Sequence, residues 1–483
     1  MDSTRLRRVC RCYFIRLFLP LLLLLCGSSW AQAQQGLPGA VLDALRQYRL
    51  PPESLSVFVQ DINAQQPLLA ANADIPRNPA STIKTLTTFV GLALLGPDYT
   101  WKTEAYALGQ RRGDSLQGDL LIKGYGDPFL AVDDVWKFSR ALRDRGLRQI
   151  QGDLLIDDSY FAPLNIDPGA FDNKPYQPYN ASPSALLVNF QSIEFLFRPD
   201  GNQVAVSANP APTTLRIVNN LKLSRGKCRS QRIAMTVDTP VNGLSTVTFK
   251  GNYPVSCGES SMYRAVVPAR AMAAGTFLNL WQDQGGTLSG AIRATAVPAD
   301  ARPLYTQPSR PLAELIRGMN KYSNNVMTRQ LFLTLGAERF GPPATLAKSR
   351  NTITEWLAEQ GLQMPELVLD NGAGLSRQTR ISARSMGRLL IFASHSEYGP
   401  EFLASLPLAG IDGTMRRRFR KEDLLGQARF KTGTLNGVRA IAGYLRSRSD
   451  RTFAVVMLHN QTGVQNGTGS RVQDALLRWL YEQ

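Results

Sequence analysis

The stretch that decides the fold and the chemistry is Asn78-Pro79-Ala80-Ser81-Thr82-Ile83-Lys84-Thr85-Leu86, which opens an apolar helical run. Pro79 and Ser81 are typical of a helix start, and Gly96-Pro97 is typical of a helix end. Residues three apart share a helix face, so Lys84 returns to Ser81 after one turn. A neighbouring base turns a serine hydroxyl into a nucleophile, and a lysine becomes such a base where burial and like charge lower its pKa. The stretch therefore predicts an activated serine.

The Ser-x-x-Lys spacing is weak evidence by itself, because short motifs arise by chance. The chain contains a second copy at Ser224-Arg225-Gly226-Lys227, in a Gly- and charge-rich stretch typical of a loop. The chain has only two histidines, His395 and His459, and neither has metal-ligand spacing around it. A Ser-His-Asp triad or a histidine-rich metal site is therefore disfavoured, and a serine enzyme would use a base other than histidine.

The first 33 residues have the pattern of a secretory signal peptide. Five arginines precede the apolar block Leu17 to Leu25, and small residues follow as far as Ala31-Gln32-Ala33. The apolar block is too short for a good membrane span. We therefore expect cleavage after Ala33 and export to the periplasm or another extracytoplasmic space.

Export also shapes the interpretation of charge and cysteine. The formal net charge is +17, and removing residues 1–33 takes away five arginines and one aspartate, which leaves +13. This charge suits an anionic partner, although export disfavours nucleic acid and a solvated basic surface is the alternative. Cys228 and Cys257 are the two cysteines outside the signal peptide, and we predict that they form one disulfide.

The periodicity of the chain predicts an α/β architecture with a split domain. Strand patterns occur at both ends of the mature chain and helical patterns lie between Leu312 and Ser394, which suits one sheet built from both termini. Between them, Val-, Ile- and Tyr-rich runs cut by Gly, Asp and Pro indicate a β-rich insertion of one or two subdomains. These predicted strands include residues 185–197 and 203–207, and the next predicted strand begins at residue 233. The predicted segments are a signal peptide (1–33), a first domain part (34–98), the insertion (99–302) and a second domain part (303–483).

Two further motifs place a hydroxyl beside an amide or a cation. Ser323-Asn324-Asn325 begins an apolar helical run; Ser-x-Asn also occurs twice elsewhere, and a helix cap is the alternative. Lys431-Thr432-Gly433-Thr434 contains the only Lys-Thr-Gly in the chain and is expected to end one strand before another begins. A cation and a hydroxyl on a strand edge can bind a carboxylate, and the glycine leaves the backbone open to a peptide. An exposed hairpin turn is the alternative.

In this order the three motifs resemble the penicillin-binding protein and serine β-lactamase superfamily. Other stretches are similar to the low-molecular-mass class C penicillin-binding proteins, the D-Ala-D-Ala carboxypeptidase/endopeptidase type of peptidase family S13. Those stretches are Gly124–Leu130, Ile156–Phe161, Tyr179–Leu186, Asp370–Arg377, Leu406–Thr414 and Ala442–Leu445. Asn371-Gly372-Ala373-Gly374 departs from the usual Asp-Gly-Ser-Gly of that family but leaves the three motifs intact.

The resemblance implies a transpeptidase-type domain whose active site lies between its sheet and its helices. Ser81 would attack the carbonyl of a D-Ala-D-Xaa bond and form an acyl-enzyme, and Lys84 would take its proton. Ser323 would relay a proton to the leaving amine, and Asn325 would bind the substrate amide and orient Lys84. Lys431 nearby would hold down the pKa of Lys84.

The resemblance also implies how the substrate is bound. Lys431 and Thr432, beside Gly433, would bind the terminal carboxylate, and the backbone N–H groups of Ser81 and Thr434 would form the oxyanion hole. Asp157 would meet the side-chain amine of the stem peptide, with a simple strand end as the alternative. The expected partners are peptidoglycan stem peptides and β-lactam antibiotics as covalent inhibitors, and the chemistry needs no metal or cofactor.

Two other functions use the same fold, and one further surface is open to interpretation. A β-lactamase is disfavoured because 242 residues separate Ser81 from Ser323, and a non-catalytic wall-binding scaffold is disfavoured by the intact motifs. The basic cluster Met415–Lys421 is consistent with contact with an anionic wall or membrane surface, with a solvated loop as the alternative.

Overall fold

The computed structural model of the protein describes residues 36–164, 166–239 and 243–483. The predicted signal peptide and its cleavage point lie outside these residues. The strands, in chain order, are β1 (Leu55–Asp61), β2 (Leu69–Ala71), β3 (Lys102–Arg112), β4 (Ser115–Gly124), β5 (Gln149–Ile150), β6 (Leu154–Asp157), β7 (Ile193–Asp200), β8 (Gln203–Asn209), β9 (Leu215–Ser224), β10 (Arg232–Asp238), β11 (Ser245–Pro254), β12 (Ser260–Arg264), β13 (Thr287–Leu288), β14 (Ile292–Ala294), β15 (Tyr305–Pro308), β16 (Ala428–Leu435), β17 (Val438–Arg446) and β18 (Thr452–Asn460).

Helices cover the sheets, and five of them follow one another between Leu312 and Ser405. They are α1 (Gly39–Gln47), α2 (Lys84–Leu95), α3 (Val132–Asp144), α4 (Ala269–Asp283), α5 (Leu312–Lys321), α6 (Asn325–Phe340), α7 (Leu346–Glu359), α8 (Ala383–His395), α9 (Gly399–Ser405) and α10 (Thr468–Tyr481).

One antiparallel sheet joins the two ends of the described chain, in the order β16-β17-β18-β1-β2. In its centre β1 pairs with β18 over seven residue pairs, from Leu55 opposite His459 to Asp61 opposite Phe453. Alternate side chains of a strand point to opposite faces of its sheet. Accordingly Val57 packs on the face covered by α1 and α10, and Phe58 packs on the face covered by α2 and α5–α9. The prediction of an α/β fold with a sheet from both termini is confirmed.

The insertion contains two packed units of strands. The first is a sheet in the order β13-β5-β4-β3-β15, in which β6 also pairs with β4 and β14 pairs with β6, and α3 and α4 pack against it. The second consists of two three-stranded sheets, β10-β11-β9 and β12-β7-β8, which enclose a core that includes Phe195, Phe197 and Phe249. A disulfide between Cys228 and Cys257 joins the turns that follow β9 and β11.

Three sequence expectations differ from the structure. A single strand over 185–197 is wrong, because positive φ angles at 189–191 break the chain and β7 begins only at Ile193. The strand β9 has no counterpart among the predicted strands, since its exposed positions carry Arg, Asn and Lys and hide the apolar pattern. The Lys431 motif does not end its strand, because β16 continues to Leu435.

We propose the same domain division as the sequence suggests, with one boundary shifted. The separate cores of the insertion and the central sheet support the division. Because β15 pairs with β3, residues through Pro308 belong with the insertion sheet. We therefore place the second boundary after Pro308 and keep the first near 98.

Candidate active site

Ser81 lies in a tight turn that packs against a glycine-rich loop. Residues Ala80–Ile83 form a 3-10 turn, and α2 starts directly after it at Lys84. The left-handed backbone of Ala80, with a φ of 46°, brings its carbonyl against Gly374. A Cβ atom at Gly374 would lie 2.0 Å from that carbonyl oxygen, so this position accepts only glycine. The turn holds the Ser81 hydroxyl 3.0 Å from the Lys84 amine.

The Lys84 amine has three partners whose chemistry fits a neutral base. Its Nζ lies 2.7 Å from Asn325 Oδ1 and also contacts the carbonyl oxygen of Ala373. Both oxygens only accept hydrogen bonds, whereas the Ser81 hydroxyl can donate one. In its neutral form the amine has two protons and one lone pair, so the protons can satisfy the two oxygens and the lone pair can accept the Ser81 proton. The arrangement can deprotonate Ser81.

The environment of Lys84 favours this neutral state. Its side chain is fully buried at the core of the site. Burial is the largest cause that lowers the pKa of Lys84 well below its usual value, and the charges of Lys431 and Arg329 lower it further. Arg329, one turn along α6 from Asn325, carries no sequence motif that would have identified it.

Ser323 faces Lys431 instead of capping a helix. Asn324 is the cap of α6 and its side chain accepts a hydrogen bond from Met327 N at 3.0 Å. Ser323 has a φ of 59°, and this left-handed turn presents its hydroxyl at 2.8 Å from the Lys431 amine. The turn also places Asn325 at the first position of α6, where it reaches Lys84. The helix-cap interpretation of Ser323 is therefore wrong.

The Lys-Thr-Gly strand runs along the other side of the serine. Lys431 is fully buried, its amine donates to the Thr432 carbonyl at 2.7 Å, and burial lowers its pKa to about 7. A Cβ atom at Gly433 would lie 2.7 Å from the Pro79 carbonyl oxygen and 3.1 Å from Ser81 N. Only glycine therefore lets the backbones of β16 and the Ser81 turn approach this closely.

Two residues that the sequence did not single out contact the threonines of this strand. The hydroxyl oxygens of Thr432 and Thr414 lie 2.8 Å apart, and Arg439 Nη1 lies 2.5 Å from Thr434 Oγ1. Thr414 ends one of the stretches that carried the family resemblance, so its position was noticed but its contact was not. Arg439 is directly opposite Thr434 in the ladder, and only the register of β16 and β17 reveals this.

The departure from the family's usual sequence at Ala373 does not remove the contact of Lys84 with the backbone of this loop. Lys84 uses the backbone carbonyl of residue 373, which alanine and serine provide equally. Asn371 shapes the loop, because its side chain accepts from Ala373 N at 3.0 Å and donates to Leu375 O at 3.0 Å.

Asp157 lies apart from this group of residues. Its carboxylate is 3.0 Å from Lys123 Nζ and accepts hydrogen bonds from Ser159 and Val297. Burial alone would raise the pKa of Asp157, but these hydrogen bonds outweigh it and lower that pKa. Asp157 lines a cavity of about 680 Å³ whose wall includes Arg270 and none of the motif residues.

The two histidines lie away from the serine. His459 Nε2 is 2.9 Å from Ser54 Oγ, and His395 Nε2 is 2.7 Å from the Ile62 carbonyl oxygen. Within residues 36–164, 166–239 and 243–483, no three His, Cys, Asp or Glu side chains gather as a metal site. In the same ranges Lys84 is the one basic side chain hydrogen-bonded to Ser81.

A known protein family and its members match this chain over most of its length. The model of the D-Ala-D-Ala carboxypeptidase 3 (S13) family matches residues 37–483. The D-alanyl-D-alanine carboxypeptidase of Actinomadura sp. (strain R39) is 29% identical over 448 residues, covering 88% of this chain and 81% of the relative.

Solved structures agree in fold. Penicillin binding protein 4 (dacB) from Haemophilus influenzae superposes with a TM-score of 0.79 at 22% identity, covering 92% of this chain and 99% of that one. A structure of the same protein complexed with a β-lactam has a TM-score of 0.75 at the same identity and coverage. From the matched length and the geometry around Ser81, this chain belongs to the D-Ala-D-Ala carboxypeptidase 3 (S13) family.

Proposed function

We propose that the protein is a serine-type D-Ala-D-Ala carboxypeptidase and endopeptidase of peptidoglycan, with Ser81 as the nucleophile. The observation that carries the proposal is the Lys84 amine, which is buried between two acceptor oxygens and the Ser81 hydroxyl. Family membership supports the substrate class. Penicillins are expected to acylate the same serine, as the β-lactam complex of the H. influenzae protein suggests.

In the acylation step, Ser81 Oγ bonds to the carbonyl carbon of the D-Ala-D-Xaa bond while Lys84 accepts its proton. The negative charge on the carbonyl oxygen is stabilised by the backbone N–H groups of Ser81 and Thr434, and losing one such donor costs about 3–4 kcal/mol. The C–N bond then breaks, and the proton that Lys84 accepted passes through Ser323, which lies against Lys431, to the leaving amine. The product is an ester of Ser81.

In the second step water attacks the ester and gives its proton to Lys84, which is neutral again. Lys84 passes that proton to Ser81 Oγ as the bond to the acid breaks, which restores the hydroxyl. Lys431 and Thr432 bind the terminal carboxylate, and Asn325 binds the substrate amide while it orients Lys84. Both activities break a D-Ala-D-Xaa bond; they differ in whether the amine released is free D-alanine or the side chain of a second stem peptide.

Purified muropeptides test this proposal directly. The enzyme is incubated with a pentapeptide monomer and a cross-linked dimer, and the products are read by mass. We expect loss of one D-alanine from the monomer and cleavage of the dimer. Rapid, repeated turnover of a chromogenic cephalosporin without muropeptide cleavage would identify a β-lactamase. Neither cleavage nor penicillin labelling would identify a non-catalytic scaffold.

Asp157 could bind the side-chain amine of a stem peptide only if one of its present partners moved away. Both of its carboxylate oxygens are already engaged, one by Ser159 and the other by Lys123 and Val297. The side-chain amine of a stem peptide would therefore have to replace the Lys123 ammonium. The neighbouring cavity offers the space for such a group.

The rate of acylation should show a bell-shaped dependence on pH. Lys84 acts as a base only when neutral, and its lowered pKa puts the rise in rate below the range in which an ordinary lysine titrates. Lys431 attracts the substrate carboxylate only when protonated, and its pKa of about 7 puts the midpoint of the fall in kcat/KM at about pH 7. Measurement of kcat/KM from roughly pH 5 to pH 10 checks both limbs. A rate that still rises beyond about pH 9 would contradict a depressed pKa at Lys84.

We propose that the protein is exported and that the basic cluster Met415–Lys421 contacts an anionic wall or membrane surface. Among the residues described, no helix combines the length and apolarity needed to cross a membrane. Carboxylates around the cluster are already paired with cations, in the pairs Lys321–Asp412, Arg418–Asp474, Arg478–Glu422 and Arg448–Asp423. Within the cluster, Arg416, Arg417, Arg420 and Lys421 are exposed and form no ion pair with a carboxylate of the described ranges.

Replacing these four cations with glutamine should weaken binding to anionic vesicles or wall sacculi. Each basic residue near an anionic surface contributes about 1 kcal/mol, and salt screens that attraction. Co-sedimentation at low and high salt measures the effect. The control replaces four exposed cations of the insertion, Lys222, Arg225, Lys227 and Arg229. Equal losses in both variants would indicate only a general effect of net charge.

A further inference from the structure

A cavity of about 290 Å³ lies where the insertion meets the second domain part. Its wall comes from three places in the fold, which are the loop between β4 and α3, the first two turns of α3, and the segment from β15 to α5. No residue of the three motifs lines it. The lining residues that bear on its chemistry are Asp127, Phe129, Asp134, Lys137, Gln307 and Arg310.

Asp127 is a buried carboxylate in the wall of this cavity. It lies in the stretch Gly124–Leu130, to which the proposed reaction gives no role, and it is only 7% exposed. One carboxylate oxygen accepts a hydrogen bond from Phe129 N at 2.8 Å. Within the described ranges the other oxygen accepts no hydrogen bond, and no cation forms an ion pair with Asp127. A buried carboxylate is costly unless a cation or a proton compensates its charge.

Gln307 adds a second acceptor to the wall. Its Nε2 donates to the Asp134 carbonyl oxygen at 3.0 Å, and because a carbonyl oxygen can only accept, the orientation of the amide is fixed. The Gln307 Oε1 atom is buried and has no donor within the described ranges. Both uncompensated groups of the wall are therefore acceptors, and both favour a ligand with positive charge.

The cations of the same wall already have carboxylate partners. The Lys137 amine lies 3.7 Å from the Asp134 carboxylate. Arg310 Nη1 lies 3.4 Å from Glu314. These cations leave Asp127 unpaired, but they would repel a divalent ion, which also needs several oxygen ligands. The wall therefore suits a ligand that has a single positive charge and its own N–H donors.

We propose that this cavity binds a small molecule through a primary ammonium group, with Asp127 as its counterion. The ammonium group donates to the second carboxylate oxygen of Asp127, and the organic part lies against apolar lining such as Phe129. A ligand bound there contacts both the insertion and the segment that leads into α5. The inference does not depend on the proposed function, because no motif residue lines the cavity.

Two probes of equal length test the class of ligand. Propylamine carries an ammonium group, and propionate carries a carboxylate. The dissociation constants of both are measured by saturation-transfer NMR titration at about pH 8.5, where propylamine is still protonated. We expect propylamine to bind the wild type and Asp127→Asn to weaken that binding about tenfold or more, since a hydrogen bond to a charged group accounts for roughly ten- to a hundredfold. Propionate should bind neither protein measurably.

The affinity for propylamine should also depend on pH through Asp127. Burial is the largest cause that raises the pKa of Asp127 to about 7. Because the ammonium group needs the ionised carboxylate, the affinity should fall about thirtyfold between about pH 8.5 and pH 5.5. The other titratable groups that line the cavity are Asp134, Lys137, Tyr305 and Arg310. Any residual binding to Asp127→Asn should be independent of pH over this range, which separates their titration from that of Asp127.

A matched control removes a carboxylate from a neighbouring position of the fold. Asp144 ends α3, is exposed and pairs with Arg140, so Asp144→Asn should keep the wild-type affinity and pH dependence. The amide oxygen that Asp127→Asn introduces can still accept from Phe129 N, and circular dichroism checks that this variant keeps its fold. If it does not fold, the pH dependence of the wild type remains the test. No binding of propylamine, equal binding of propionate, or an affinity that is unchanged by Asp127→Asn or by pH would overturn the proposal.

Discussion

Ser81→Ala should abolish covalent labelling by a fluorescent penicillin and reduce muropeptide cleavage by about 10⁶-fold, the scale seen when a nucleophilic serine is removed. The reason is that every step of the proposed reaction passes through an ester of Ser81. Because the hydroxyl is small and its turn is held by Gly374 and Gly433, the variant should keep the wild-type fold. Labelling is read on a gel, and cleavage is read by mass.

The second Ser-x-x-Lys pair provides a matched control. Ser224→Ala changes the same residue type in the same spacing, but Ser224 ends β9 in the insertion. This variant should label and cleave as the wild type does. Residual stoichiometric labelling of Ser81→Ala would show that another residue is the nucleophile.

Lys84→Met should reduce the rate of acylation by about 10³- to 10⁴-fold, near the upper range for a general base. Methionine keeps most of the buried volume but removes the group that accepts the Ser81 proton. It also leaves Asn325 Oδ1 and the Ala373 carbonyl without their donor. The pH dependence should lose its rising limb, and single-turnover labelling over a pH series measures this change.

Lys348→Met is the control for Lys84. The Lys348 amine also donates to carbonyl oxygens, those of Gly341 at 2.7 Å and Pro343 at 3.0 Å, but it lies outside the site. Its variant should therefore keep the wild-type rate and pH profile. If Lys84→Met kept the rising limb, another group would be the base.

Much of this chemistry could be predicted from local sequence. One helical turn joins Ser81 to Lys84, and the spacing of residues within a turn does not depend on the rest of the fold. The strands near the chain ends and the long helices were predictable for the same reason, since periodicity is a local property. The order of the three motifs was recognised by its resemblance to a family. The strand β9 was not predicted, because its exposed polar side chains interrupt the apolar pattern on which such predictions depend.

Other features depend on which distant segments meet. The pKa of Lys84 is lowered because distant segments bury its amine and bring Lys431 and Arg329 near it. Its two acceptors, Asn325 and Ala373, lie 241 and 289 residues away along the chain. Ser323 contacts Lys431, and the adjacent residue Asn324 caps α6. Helix-cap propensity does not decide which of these two neighbouring residues becomes the cap.

By itself the sequence determined which residue types carry the reaction and that Ser81 and Lys84 share one turn. The tertiary structure alone decided which distant groups surround each of these residues. Burial and neighbouring charge lower the pKa of Lys84, and strand register sets Arg439 against Thr434. Both effects act through space between residues far apart in sequence, so no local pattern records them.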